Sequence, residues 1–219
     1  MSSTPKQRSC LQGEAAPQCR RREHGGQLLD GPHQTTPSPD GASTEFQMTA
    51  SKTWADVLFW NKLGANTSAT HFTWDFCFRV GSSSTNLAAL ELDIFQFIVP
   101  TEYMFGSQCT YTTGFWDVWN ASTHKWIGTS LACTKFTANT WHHIVWRVHR
   151  TTTDNKMHYD SLTIDGVLHT LNITEPSGPL PSGWSNMMGV QWQLDGPGNL
   201  NLLPITANEW IDKVSLKVW

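Results

Sequence analysis

Apolar and polar residues alternate along most of the chain from about Met48 to its end. Between Phe72 and Val80, Phe72, Trp74, Phe76 and Phe78 oppose Thr73, Asp75, Cys77 and Arg79. Between Leu90 and Ile98, Leu90, Leu92, Ile94 and Ile98 share one face, with Gln96 as its polar interruption. Period two is the strand period, because successive side chains of a strand point to opposite faces of its sheet. The same pattern predicts strands over 54–60, 103–109, 115–119, 125–131, 141–149, 157–164, 167–173, 187–194 and 210–219. Asp165-Gly166, between two of these runs, is a two-residue hairpin signal. Many short strands with turn residues between them, and no convincing helical period, predict an all-β antiparallel sandwich of the jelly-roll type.

Residues 1–47 read differently. They hold Arg20-Arg21-Arg22 among scattered Pro, Gly, Gln and Ser, with almost no apolar period. The expectation is a disordered leader at 1–47 and one folded domain at 48–219. No apolar segment follows the basic start, so no secretory signal is visible in this stretch.

The second face of the 90–98 run carries Glu91, Asp93, Phe95 and Phe97. Either these acids make surface ion pairs on a half-exposed strand, or they belong to a sugar-cleaving cleft. Such a cleft needs acids for the glycosidic oxygen and anomeric carbon, and flat rings for the sugar faces. Composition favours a glycan. Charged residues make up only 15% of the 219 residues, while tryptophan occurs 12 times and the net charge is −3. That balance gives no basic footprint for nucleic acid, and no apolar run nears the ~18 residues of a membrane span. The expectation is an extracellular monomer with a polysaccharide partner. Most tryptophans must fill the core. Trp116, Trp119, Trp126 and Trp184, near turns and loops, are the candidate sugar-stacking platforms.

Other chemistries find less support. The 5 cysteines include no Cys-x-x-Cys pair, which argues against a structural zinc site. Cys109 and Cys133 flank one hairpin-like region and can form a disulfide if the protein is exported. Cys77 reads as a small buried hydrophobe. His142 and His143 are adjacent and face opposite sides of a strand, while the register of His149, His158 and His169 is open. They read as core-edge or surface histidines, so no metal site is expected. Nor is a cofactor, although a structural calcium could use loop oxygens of Asp154, Asn155, Asp195 or Asp212. No Gly-x-Ser-x-Gly elbow occurs. Asn66, Asn120 and Asn172 head Asn-x-Ser/Thr sequons, which mean surface glycans in a eukaryotic secretory setting.

Three segments carry a family resemblance: Glu91-Leu-Asp-Ile94, Trp141-His142-His143, and Ile164-Asp165-Gly166-Val167. Together they resemble the concanavalin A-like lectin/glucanase superfamily, which includes laminin-G-like modules and laminarinase-type glycoside hydrolases. The likeness covers roughly 73–219 and implies the jelly-roll fold. In those hydrolases a Glu-x-Asp-x-Glu strand carries nucleophile, helper and acid/base. Carried over, Glu91 would be the nucleophile and Asp93 its helper. The third acid is missing, since Phe95 stands at the plain spacing and Gln96 at the bulged one. Family-twelve cellulases divide their acids between two strands. Here Glu91-Leu-Asp-Ile-Phe95 resembles the first, and the run from Val190 to Gly196 loosely resembles the second. That places Asp195 as the acid, with Gln193 beside the substrate. The resemblance implies an endo-acting β-glucan hydrolase or, as the alternative, a non-catalytic glycan-binding or adhesion module. The missing acid favours the second, and two acids beside aromatic rings on a charge-poor strand favour the first.

Overall fold

The computed structural model describes residues 34–219 and, before them, the backbone of two strands, Gln18–Arg22 (β1) and Gly26–Asp30 (β2). The strands that follow are Thr44–Ala50 (β3), Asp56–Gly64 (β4), His71–Val80 (β5), Ala89–Ile98 (β6), Thr101–Thr110 (β7), Phe115–Asn120 (β8) and Lys125–Ala132 (β9). They continue with Trp141–Arg150 (β10), Lys156–Ile164 (β11), Val167–Pro176 (β12), Gly178–Pro179 (β13), Met187–Asp195 (β14) and Ile205–Val218 (β15). One sheet runs β1-β4-β14-β6-β7-β8-β9, with β13 against β7. The other runs β12-β11-β10-β5-β15-β3-β2. All the pairings are antiparallel, so the molecule is the antiparallel β-sandwich that the alternation predicts. No helix among the described residues is long and apolar enough to cross a membrane.

The inner faces close on a core rich in aromatic rings. β5 alternates strictly, with Phe72, Trp74, Phe76, Phe78 and Val80 inward. From the facing sheet, Trp192 of β14 sits 5.5–6.5 Å, centroid to centroid, from the rings of Phe46, Trp74, Phe76 and Phe78. Its Nε1 donates to Glu209 Oε2 at 2.8 Å. A buried indole N–H needs such a partner, since leaving it unpaired costs about 1–3 kcal/mol. On β6, Leu90, Leu92 and Ile94 point into the core as expected. Gln96 is inward too, and it serves as a polar anchor. Its Nε2 donates to the carbonyls of Asn66 and Ala69 at 2.7 and 2.9 Å, and its Oε1 accepts from Arg150 Nε at 2.6 Å.

The structure corrects some sequence expectations and bears out others. The fold begins before Met48: β3 starts at Thr44, Phe46 is 5% exposed, and Gln34 bridges Ser43. Phe46 already follows the strand period with Met48 and Ala50, so the breaker-rich stretch masks a genuine edge of the domain. Residues 1–17, 23–25 and 31–33 of the expected leader lie outside the described residues. Cys77 is on the outer face of β5, half-buried and free. It occupies the polar phase of the alternation, opposite in direction to Phe76 and Phe78. Cys109 and Cys133 are bonded, closing the β7–β9 region. Asn120 is buried, accepting from Thr123 N and donating to Glu175 Oε2, so that sequon is not a free surface site. The calcium candidates are dispersed. Asp154 and Asn155 lie between β10 and β11, Asp195 ends β14, and Asp212 accepts from Ser38 Oγ.

Asp165-Gly166 is the hairpin turn it was expected to be, with φ of 48° and 83°. Glycine takes that conformation at no steric cost and a β-branched residue does not. Gly166→Val is expected to destabilise the domain by about 1–3 kcal/mol. An unchanged thermal melt would refute this.

Of the three histidines whose register the sequence leaves open, two align. His149 and His158 face each other across β10 and β11, their rings stacked at 4.3 Å. The next ring in the row is His71 of β5, 5.1 Å from His149, with Trp219 stacked beyond it. His169 pairs with Leu162 instead. Burial, and then the neighbouring His149, push the His158 imidazole below its ordinary range, against the pull of Asp160. The folded state thus binds its proton less readily than the unfolded chain. This contribution to stability is complete above about pH 6.5 and declines as the pH falls through that value. His158→Gln is expected to flatten the loss of melting temperature between pH 7.5 and 5.5. An identical pH profile in the variant would overturn the assignment.

Candidate functional site

The outer face of the β14-β6-β7 region is a cleft, and the strand registers build it in rows. One row runs Leu58, Gln193, Glu91, Gln108, Asp117 across β4, β14, β6, β7 and β8. The neighbouring row begins Trp60, Gln191, Asp93, Gly106. It continues into Trp119 and Trp126, whose rings meet edge to face at 5.1 Å. Acids and amides therefore form the floor, and indoles form the walls. Two adjoining hollows of about 420 Å³ each share Asp56, Glu91, Trp126 and Gln193. They join into one groove across the strands.

Gly106 makes the groove possible. A Cβ there would come within 2.8 Å of the Trp119 Cβ and 2.9 Å of Asp93 Oδ1. The missing side chain lets the tryptophan wall close against the central carboxylate. Gly189 does the same one row along, because a Cβ there would strike the Phe95 ring and the Asn61 carbonyl.

The floor is a hydrogen-bonded lattice of two amides and three carboxyl groups. Gln191 Nε2 donates to Asp93 Oδ2 and, at 3.3 Å, to Gln193 Oε1. Gln193 Nε2 donates to Glu91 Oε2 and Asp195 Oδ1, each at 2.8 Å. Burial raises all three acids. Glu91 lies well above the usual carboxylate range because it is buried, then because of the charges of Asp195 and Asp93 and a hydrogen bond with Asp195. Asp93 is also well raised, by burial and by Asp195, against the hydrogen bond from Gln191. Asp195 is pushed up to about 6 by burial, while hydrogen bonds from Gln193 and Glu91 hold it down. Glu91 and Asp195 thus form a carboxyl–carboxylate pair in direct contact. Their contact raises Glu91 and holds Asp195 down, so Glu91 is the member of the pair that keeps its proton longer as the pH rises.

Most of the residues singled out in the sequence meet here. Glu91, Asp93, Gln193, Phe97, Trp119, Trp126 and Trp184 line the groove, and Asp195 lines its second hollow. Two do not belong. Trp116 is 1% exposed and points into the core, because Phe115, Asp117 and Trp119 occupy the opposite phase of β8. Phe95 is fully buried behind the groove, between Trp60 at 4.7 Å and Phe97 at 5.2 Å. A phenyl ring thus fills the place of the missing third acid. Sequence reasoning missed Asp56, Trp60, Glu102, Met104, His124 and Gln191. Gln191 was within reach, since period two puts it on the face of Gln193.

A two-sheet jelly roll with an acid-floored, tryptophan-walled groove defines the class that fold and site can establish. No protein-family model matches the sequence, and no curated protein matches it. Solved structures do match in fold. The cellulose-induced protein Cip1 is similar at TM-score 0.54 and 10% identity, over 90% of this chain and 89% of the other. An alginate lyase from Aplysia kurodai is similar at TM-score 0.54 and 11% identity, over 91% and 89%. The alginate lyase Aly36B is similar at TM-score 0.52 and 10% identity, over 82% of each chain. At these identities the likeness concerns the fold.

Proposed function

We propose that this protein is an exported, carbohydrate-active jelly roll that hydrolyses a β-linked glycan within the groove, cutting inside the chain. The observation that carries the reading is the cluster of buried Glu91 and Asp93 with half-buried Asp195 beneath tryptophan walls. Burying three carboxyl groups together is costly, and such clusters with displaced pKa values gather at catalytic sites. A groove shared between two hollows suits a polymer lying across the strands. The Cys109–Cys133 disulfide supports export to an oxidising compartment.

The roles follow from the proton distribution. Glu91, the group holding the proton, serves as general acid toward the glycosidic oxygen. Asp195, the ionised partner, acts at the anomeric carbon or on a water. This reverses the assignment that family resemblance implies. Asp93, tied to Gln191, tunes the pair. A polyuronate substrate is disfavoured, because no lysine or arginine occurs among the described lining residues to offset its carboxylates.

One observation favours the non-catalytic reading. Glu91 and Asp195 touch, whereas hydrolases hold their acids ~5 Å or more apart to admit the sugar or a water. Substrate entry must therefore separate them. The test is reducing-end release from a panel of β-glucans, beside pull-down on the same insoluble polymers. Reducing ends from any polymer support hydrolysis. Binding without release would leave a glycan-binding module.

A further inference from the structure

The groove floor has its donors engaged and an acceptor left over. All four amide hydrogens of Gln191 and Gln193 serve the lattice around Asp93, Glu91 and Asp195. Gln191 Oε1, by contrast, is buried without a hydrogen-bond donor, on a residue 3% exposed that lines the groove. An unpaired buried carbonyl oxygen costs about 1–3 kcal/mol and marks a position where a ligand hydrogen belongs. Its register neighbour on β6 is Asp93, and Glu91 lies two residues along on the same face. What enters must bring several donors and tolerate carboxylates.

A protonated amine meets both demands: it supplies three donors, accepts nothing, and carries the complementary charge. A sugar hydroxyl brings one donor together with lone pairs that would face further acceptors. An N-acetyl group brings one N–H and a carbonyl. A uronate brings only like charge. We propose that the central subsite takes an amine-bearing sugar, a 2-amino-2-deoxy unit of a β-linked aminoglycan, with its ammonium group set among Gln191 Oε1, Asp93 and Glu91. This rests on the glycan reading of the groove but not on hydrolysis.

The charged and titratable groups facing this subsite are Glu91 and Asp93 on β6, Asp195 on β14, Asp56 on β4, Glu102 on β7 and Asp117 on β8, with His124 from the turn before β9. Asp93 and Glu91 must give up protons to pair with the ammonium. Binding therefore strengthens as the pH rises, until the amine itself loses its proton.

The experiment compares short oligomers of β-linked glucosamine, N-acetylglucosamine, glucose and mannuronate by calorimetric titration. The glucosamine oligomer is expected to bind at least ~10-fold more tightly than the others, about 1.4 kcal/mol. The preference should shrink in high salt, as an ion pair requires, and disappear in Asp93→Asn. A cooperative thermal melt and a far-UV dichroism spectrum matching the wild type show that Asp93→Asn is folded. Equal affinity for the glucosamine and N-acetylglucosamine oligomers overturns the proposal, as does an unchanged preference in Asp93→Asn. Cleavage of glucan with no preference for amines sinks this inference and leaves hydrolysis standing. Tight amine-dependent binding with no reducing ends does the reverse, and binding of no sugar overturns both.

Discussion

Glu91→Gln will lower turnover of a natural β-glycan by ~10³-fold or more, about 4 kcal/mol on the barrier, while polymer binding survives. Glutamine keeps the size of the side chain and its place beside Gln193, but it cannot deliver the proton that Glu91 holds. The loss should be small for aryl glycosides whose leaving group departs without protonation. Asp195→Asn, in contrast, removes the charge that acts at the anomeric carbon, and should suppress turnover on every substrate. This pair of variants separates the two assignments. If Glu91 were the nucleophile, activated substrates would not rescue Glu91→Gln, and they would rescue Asp195→Asn. The pH dependence carries the same signature. Activity should rise as Asp195 ionises near pH 6 and fall where Glu91 loses its proton. Full activity in Glu91→Gln on unactivated polymer would end the catalytic reading.

Why the sequence reveals so much of this fold is visible in β5 and β6. A strand with one face toward a core must alternate, and a one-residue slip would invert every side chain. Asp165-Gly166 is equally local, because the turn conformation is set by two residues. The site was partly legible for the same reason: Glu91 and Asp93 share a face by period two alone. The partnership of Glu91 with Asp195 depends on β14 lying next to β6, a pairing between residues about a hundred positions apart that no local pattern specifies.

The misreadings are instructive too. Trp116 was grouped with Trp119 by proximity to turns, yet an odd spacing on one strand must put them on opposite faces. Phe95 has the phase of the cleft face, but Gly189 on the adjacent strand opens a slot that swallows its ring. Neither glycine that shapes the groove is remarkable in sequence. Each matters only for what its neighbour across the sheet needs.

Glu209→Gln will reshape the pH dependence of stability. Glu209 points from β15 into the core with no exposed surface, accepting from Trp192 Nε1 at 2.8 Å, while its Oε1 has no donor. Burial pushes its pKa up to about 8, against the indole hydrogen bond, with the Asp195 charge adding to the rise. An unfolded glutamate titrates near ~4.3. Between those two values the folded protein keeps a proton that the unfolded chain has lost. Stability therefore falls as the pH rises, by about 1.4 kcal/mol per unit for this one group, reaching roughly 3–4 kcal/mol by pH 7. Glutamine can accept from the same indole and does not titrate. Its extra amide hydrogens enter the core without an acceptor, a cost of about 1–3 kcal/mol. At pH 4.5 the variant should be the less stable protein. By pH 7.5 it should be the more stable, by about 1–3 kcal/mol, so the two stability curves cross. The other raised acids are common to both proteins and cancel in the difference. Denaturant unfolding at several pH values reads the crossing directly, and parallel curves would mean that Glu209 is already ionised in the folded core.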